Sequence, residues 1–151
     1  MENLDPNFAD LLRLLNSHGV KYLVIGGYAV AYHGFVRATG NLDVFVELSD
    51  ENASRLVRVF QKFGFSDSEA PKSLFTTPGN IVRIGVPPIR LEVLNQISGV
   101  EFKACYKNKM TVKIDDSEIN LIDLESLLKN KRAAGRPKDL ADLDELTDRS
   151  D

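Results

Sequence analysis

Two consecutive glycines, Gly26-Gly27, follow the apolar run Tyr22-Leu23-Val24-Ile25, and a polar pair, Asn41 and Asp43, alternates with Leu42 and Val44 further along. A glycine pair where a strand gives way to a helix lets backbone N–H groups approach an anion, because no Cβ stands in the way. Residues two apart on a strand face the same side. Asn41 and Asp43 therefore aim their oxygens into one space, while Leu42, Val44 and Val46 cover the opposite face. Glu92 lies between Leu91 and Val93 in a second apolar run, and a carboxylate there is costly unless paired, hydrogen-bonded or bound to metal. Phosphate beside a divalent cation held by oxygen ligands is what phosphoryl and nucleotidyl transfer require. Asn41 is the odd member of the set: its amide oxygen can ligate magnesium but brings no charge. Glu47 does not replace it, because four residues of strand put it roughly 13 Å from Asp43.

Basic residues that could meet phosphate fall in two places. Arg37 lies between the glycine pair and the acidic strand, where a guanidinium can grip a phosphate with two prongs. Lys129, Lys131, Arg132, Arg136 and Lys138 cluster near helix ends, a position where positive charge is also commonplace on a solvated face. Asp139 and Asp142 are expected to cap and pair with that basic segment rather than bind metal. His33, just before Gly34 at a helix end, reads as a cap or packed turn residue rather than a base.

The elements that must position these groups follow from periodicity. Asp5-Pro6 opens a helix whose apolar stripe is Phe8, Leu11, Leu12, Leu14 and Leu15, ended by Gly19. Residues 22–25 read as a buried strand, 28–33 as a short helix, and 42–47 as a strand. Ser49/Asp50 caps a helix that buries Ala53, Leu56, Val57, Val59, Phe60 and Phe63, and Gly64 stops it. Residues 73–77, 81–86 and 89–94 read as a three-strand meander, separated by Pro78-Gly79-Asn80 and Pro87-Pro88. A helix over 101–107 and short edge strands at 111–114 and 118–120 come next. Asp123 caps a helix to about residue 134, and Pro137 starts a last helix through 146. The pattern predicts a mixed-sheet α/β or α+β domain with a C-terminal helical pair.

Composition narrows the classes. With 151 residues, 43% hydrophobic and 27% charged, the chain fits one domain over 1–151, its core at about 20–95 and a C-terminal helical region at about 121–147. A formal charge of −3 argues against a globally basic nucleic-acid binder. The lone Cys105 cannot form an internal disulfide and reads as a buried thiol. No apolar run approaches the ~18 residues of a membrane span, and the first residues lack a leader pattern, so a cytoplasmic protein without membrane contact is expected.

The combination of Val24-Ile25-Gly26-Gly27-Tyr28-Ala29-Val30, His33-Gly34, Arg37-Ala38-Thr39, Asn41-Leu42-Asp43 and Leu91-Glu92-Val93-Leu94 resembles the nucleotidyltransferase superfamily of DNA polymerase β, in particular its small bacterial members with a glycine-glycine motif. The stretch from Lys131 to Leu143, with Gly135-Arg136-Pro137-Lys138-Asp139 at its centre, is similar to the tail of toxin-like and antibiotic-modifying members. The resemblance implies a central mixed sheet carrying two carboxylates on one strand and a third on its neighbour. It implies two magnesium (or manganese) ions, and a nucleoside triphosphate such as ATP that loses pyrophosphate to an acceptor hydroxyl. Asp43 would be the shared metal ligand, Asn41 and Glu92 the other two positions, with Glu92 helping to activate the acceptor. Gly26-Gly27 would be the triphosphate cradle, with Arg37, Thr39, Arg136 and Lys138 as further nucleotide contacts. The family pattern has aspartate at position 41 and usually at 92. With 151 residues little chain is left for acceptor recognition, so the expected acceptor is a small molecule, a protein surface or an RNA end reached through a homodimer groove, or else activity is expected only with a cognate partner protein. The alternative is a catalytically degenerate nucleotide- or partner-binding module on the same fold, such as a toxin–antitoxin component.

Overall fold

The computed structural model describes residues 4–35, 40–86, 89–114 and 116–150. The described residues form seven helices and one six-stranded sheet. Helix α1, Pro6–Ser17, begins where the Asp5 carboxylate accepts the Asn7 N–H at 2.8 Å, and it buries Phe8, Leu11, Leu12 and Leu15. Strand β1, Tyr22–Ile25, is buried throughout and runs directly into α2, Gly26–Tyr32, so the helix starts at the glycine pair itself rather than at Tyr28. Strand β2, Asn41–Val46, precedes α3, Asp50–Lys62, whose N-cap Ser49 accepts the Asn52 N–H. Beyond α4, Ser73–Thr76, come β3, Ile81–Val86, and β4, Ile89–Leu94. The chain continues through α5, Phe102–Lys107, β5, Met110–Ile114, and β6, Ser117–Leu121, to α6, Leu124–Ala134, and α7, Pro137–Ser150.

The strand order is β3-β4-β2-β1-β6-β5. β2 lies parallel to β4 and β1 parallel to β6, and the remaining pairs are antiparallel, so the sheet is mixed as the sequence pattern predicts. Leu42, Val44, Leu91 and Val93 are buried on one face, and the helical layer made by α1 and α3 shares their core. Buried polar groups fasten this core. Asn52, 1% exposed, accepts the Lys21 N–H and donates to the Lys21 and Glu47 carbonyls, which ties α3 to the ends of β1 and β2. The Tyr22 hydroxyl donates to Asn16 Oδ1 and accepts the Asn120 N–H, and burial pushes its pKa up to about 12.

Two expectations need correction. Residues 73–77 are helical at 73–76 rather than a strand. Leu74 and Phe75 are adjacent rather than alternating, only Phe75 is buried, and it stacks on Phe60 at 5.4 Å. The carbonyls of this turn are met by side chains: Thr76 and Thr77 hydroxyls bond back to Lys72 and Ser73, and Asn95 Nδ2 donates to the Thr77 carbonyl. No strand neighbour is needed. The other correction is β6, which is an interior strand between β1 and β5, leaving β5 as the edge. Its buried Ile119 and Leu121 suit that position. Cys105 is buried, His33 caps α2 with Nε2 2.8 Å from the Ile122 carbonyl, and among the described residues no helix is long and apolar enough to cross a membrane.

Candidate active site

Strand register assembles the candidate residues into rows. Arg83 of β3 pairs with Glu92 of β4, Glu92 with Asp43 of β2, and Asp43 with Ile25 of β1, the residue before the glycine pair. Register partners share a face, so one transverse line reads Arg83, Glu92, Asp43, Ile25. The adjacent row on that face holds Arg90 beside Asn41, and the row on the other side holds Ile81 and Leu94. This face floors a cleft of about 850 Å³, closed on the far side by α6 and the start of α7 through Asn130, Lys131, Arg136 and Lys138. Asn41, Asp43, Glu92, Gly26, Gly27, Arg136 and Lys138 thus line one cleft. Arg37 and Thr39 lie outside the described residues.

Gly26 makes room for the carboxylate. Its φ is +67°, and a Cβ there would run into Asp43 Oδ2 and stand 3.0 Å from Cγ. The glycine is required both by a left-handed backbone and by the acid packed against it. Asp43 is held in tension: burial first, then the charge of Glu92, raise its pKa from 3.8 to about 6, while Lys138 and Lys131 pull it down. The Glu92 carboxyl therefore acts on Asp43 as a like-charged neighbour that favours its protonated form.

Glu92 is not a lone acid. Its Oε1 accepts Arg83 Nε at 3.0 Å and lies 3.1 Å from Arg90 Nη2, with the Glu92 side chain 17% exposed. These arginines are the charged groups of the cleft that sequence reading missed; the period-two spacing of Arg90 with Glu92 could have placed Arg90 on the same face, whereas Arg83 reaches it through the β3–β4 register. Across the cleft, Lys131 is buried between Asp139, at 3.3 Å, and Asp142, at 3.1 Å. Arg136 reaches Asp139 through Nε at 2.6 Å and Nη2 at 3.2 Å. Burial pushes the Asp139 carboxyl up, but Arg136 and Lys131 outweigh it and hold the group below its usual range. Asp139 and Asp142 therefore pair with the basic segment, as expected.

Among the described residues no three His, Cys, Asp or Glu side chains converge on one point. The acidic donors of the cleft are Asp43 and Glu92, with Asn41 offering a neutral oxygen. Two carboxyls in register on neighbouring strands, with the Asp43 pKa raised by burial first and by Glu92 second, are a place where a divalent cation offsets like charge, so the donor set fits a hard cation.

A family model described as "Nucleotidyl transferase of unknown function (DUF2204)" matches residues 6–151. No curated protein matches the chain. Among solved structures, a candidate nucleotidyltransferase from Thermotoga maritima (TM1012) superposes with a TM-score of 0.62 at 17% identity, covering 98% of this chain and 97% of that one. The lincosamide antibiotic adenylyltransferase LnuA, solved with lincomycin, gives 0.57 at 13% identity over 97% of this chain and 98% of its own. The antibiotic-resistance factor ANT(2'')-Ia gives 0.60 at 10% identity over 96% and 83%. At these identities the likeness is one of fold, and it agrees with the mixed sheet and C-terminal helical pair.

Proposed function

The chain belongs to this family of nucleotidyl transferases, and on that footing we propose that it moves a nucleoside monophosphate from a nucleoside triphosphate to an acceptor hydroxyl in a divalent-metal-dependent reaction. The observation that carries the reading is the row Glu92, Asp43, Ile25 ending on Gly26-Gly27, with Lys138 across the cleft. Asp43, Glu92 and the Asn41 amide oxygen would hold the cation, magnesium or manganese. Bound there, it would supply charge neutralisation at the α-phosphate and at the departing pyrophosphate.

The chain's own residues divide the remaining work. Gly26 and Gly27 let the polyphosphate approach the backbone beside Asp43, and Lys138 and Arg136 balance its charge from the α6–α7 side. Asp139 fixes the Arg136 guanidinium by two side-chain contacts. Glu92 lies on the β4 side of Asp43, where it accepts the hydrogen bond of the incoming hydroxyl. The hydroxyl oxygen forms a bond to the α-phosphorus, the bond to the pyrophosphate oxygen breaks, and the hydroxyl proton leaves toward the carboxylates. One fold neighbour is an adenylyltransferase by description and another was solved in complex with adenylyl-2"-tobramycin, which favours ATP as donor.

A second reading is favoured by one observation: the family pattern's first carboxylate is the amide Asn41, so the site carries less negative charge for metal. On that reading the chain binds nucleotide without transferring it. Incubation with each α-labelled nucleoside triphosphate, magnesium or manganese, and a cell extract separates the two. Transfer by the natural chain that is lost in Asp43→Ala supports the enzyme. Nucleotide binding without transfer, with transfer gained in Asn41→Asp, supports the binding module.

A further inference from the structure

The arginine pair on β3 and β4 is left over once the nucleotide is accounted for. In-line transfer places the attacking and leaving oxygens on opposite sides of the α-phosphorus. With the polyphosphate beside Gly26-Gly27 at the end of β1, the acceptor must come from the β4 and β3 side of Asp43. β4 lies two strands from β1 and β3 lies three, so at ~4.8 Å per strand Glu92 and Arg83 stand roughly 10 and 14 Å from the cradle. The wall that meets the acceptor is therefore Arg83, Glu92 and Arg90, with Ile81, Leu94 and Ile97 beside them.

That wall is net positive. Two guanidiniums share one carboxylate oxygen, Glu92 Oε1. Each guanidinium carries about five N–H donors, and Glu92 engages one nitrogen of each. Arg83 lines the cleft and is 56% exposed, and Nε is the atom it sets against Glu92. Arg90 has one Nη at Glu92, and its Nε is buried without a hydrogen-bond partner among the described residues. A cationic acceptor would face two fixed positive charges beside the reacting hydroxyl. An acidic one would complete a planar, charge-assisted grip. Ile81, 37% exposed, and its register partner Leu94 form an apolar shelf next to this grip.

We infer that the acceptor is a small hydroxyl compound bearing a phosphate or carboxylate group, which Arg83 and Arg90 bind while Glu92 fixes the two guanidiniums in place. The inference rests on the transfer reaction proposed above, because that reaction decides which side of Asp43 the acceptor occupies. The whole chain carries a formal charge of −3, so the positive wall is local and suits a small anion rather than a polyanion such as RNA.

The test uses the full, isotope-labelled chain saturated with a non-hydrolysable nucleoside triphosphate and magnesium. Glycerol phosphate, glycerate, glycerol and aminopropanediol are titrated while the arginine and lysine side-chain and the backbone amide resonances are followed. The preceding nucleotide titration judges the reaction separately: if no nucleotide binds, the reaction reading fails, and the four probes are then run on the free chain. The expected result is that acidic probes shift the Arg83 and Arg90 signals and bind about tenfold or more tightly than glycerol or aminopropanediol. The stronger of glycerol phosphate and glycerate identifies the acidic group. Arg83→Gln lowers their affinity roughly tenfold, and Arg83→Lys, which keeps charge without the fork, recovers part of it. Equal binding of the neutral or cationic probe overturns the inference. So do shifts confined to Lys138 and Gly27, an Arg83→Gln variant that binds like the natural chain, and failure of all four probes. A short RNA that binds where the small acids do not overturns it in favour of a polymeric acceptor.

Discussion

Asp43 sits where burial and its proposed role as a charged metal ligand conflict. Its pKa stands at about 6 against an ordinary 3.8, through burial first and the neighbouring Glu92 second. A carboxyl whose native value exceeds its unfolded value holds an extra proton in the native state between those two pH values. Stability of the metal-free chain therefore falls as pH rises from 3.8 toward 6, and the penalty is complete above that window. The displacement corresponds to at most ~3 kcal/mol. Asp43→Asn removes it, so urea unfolding of the metal-free variant at neutral pH should show a gain of up to ~3 kcal/mol that disappears on acidification, while label transfer is lost. A gain of the same size at both pH values would contradict the assigned cause. Gly26 is the second residue on which the site turns. Gly26→Ala places a Cβ against the Asp43 carboxylate at a φ of +67°. Displacing a reacting group by ~1 Å costs on the order of a hundredfold, so transfer should fall by about that factor. The positive φ should remove a further ~1–2 kcal/mol of stability. Circular dichroism melts beside the transfer assay check both.

At the scale of elements, α6 and α7 hold the far wall of the cleft through one buried charge cluster. Lys131 is 5% exposed and Asp139 and Asp142 are each 1% exposed. Taking away Asp139 leaves Lys131 with less compensation and releases Arg136 from its two-pronged contact. Asp139→Ala should destabilise by roughly 3–5 kcal/mol, and limited proteolysis should cut first within α7. Uniform loss of protection across the chain would instead place the cluster in the global core. The strands at 22–25, 81–86 and 89–94 were legible because apolar runs bounded by glycine or proline have few alternatives. The stretch at 73–77 was not legible, because its fate is decided by Phe75 stacking on Phe60 and by Asn95 reaching back from beyond β4. Asn41, Asp43 and Glu92 could be placed on strand faces by period two. That Asp43 would meet Glu92, and Glu92 meet Arg83, depends on a parallel β2–β4 register between distant segments, which no local pattern encodes. Glu92 consequently read as an isolated acid, when two arginines hold it.

Over the whole molecule, an acidic chain of 151 residues with net charge −3 gathers positive charge on both walls of one cleft and places its two carboxylates between them. The sheet sets this order: glycine pair at the end of β1, acids on β2 and β4, arginines on β4 and β3, with α6 and α7 opposite. In the proposed reaction the nucleotide takes the β1 side of this cleft and the acceptor the β3 side. A crystal structure of the full chain with manganese and a non-hydrolysable nucleoside triphosphate tests this most directly. The account predicts an anomalous manganese peak between Asp43 and Glu92, with the polyphosphate running toward Gly26-Gly27 and Lys138 and the Arg83–Arg90 wall left open. A metal ion away from Asp43, or a polyphosphate gripped by Arg83 and Arg90, would contradict it.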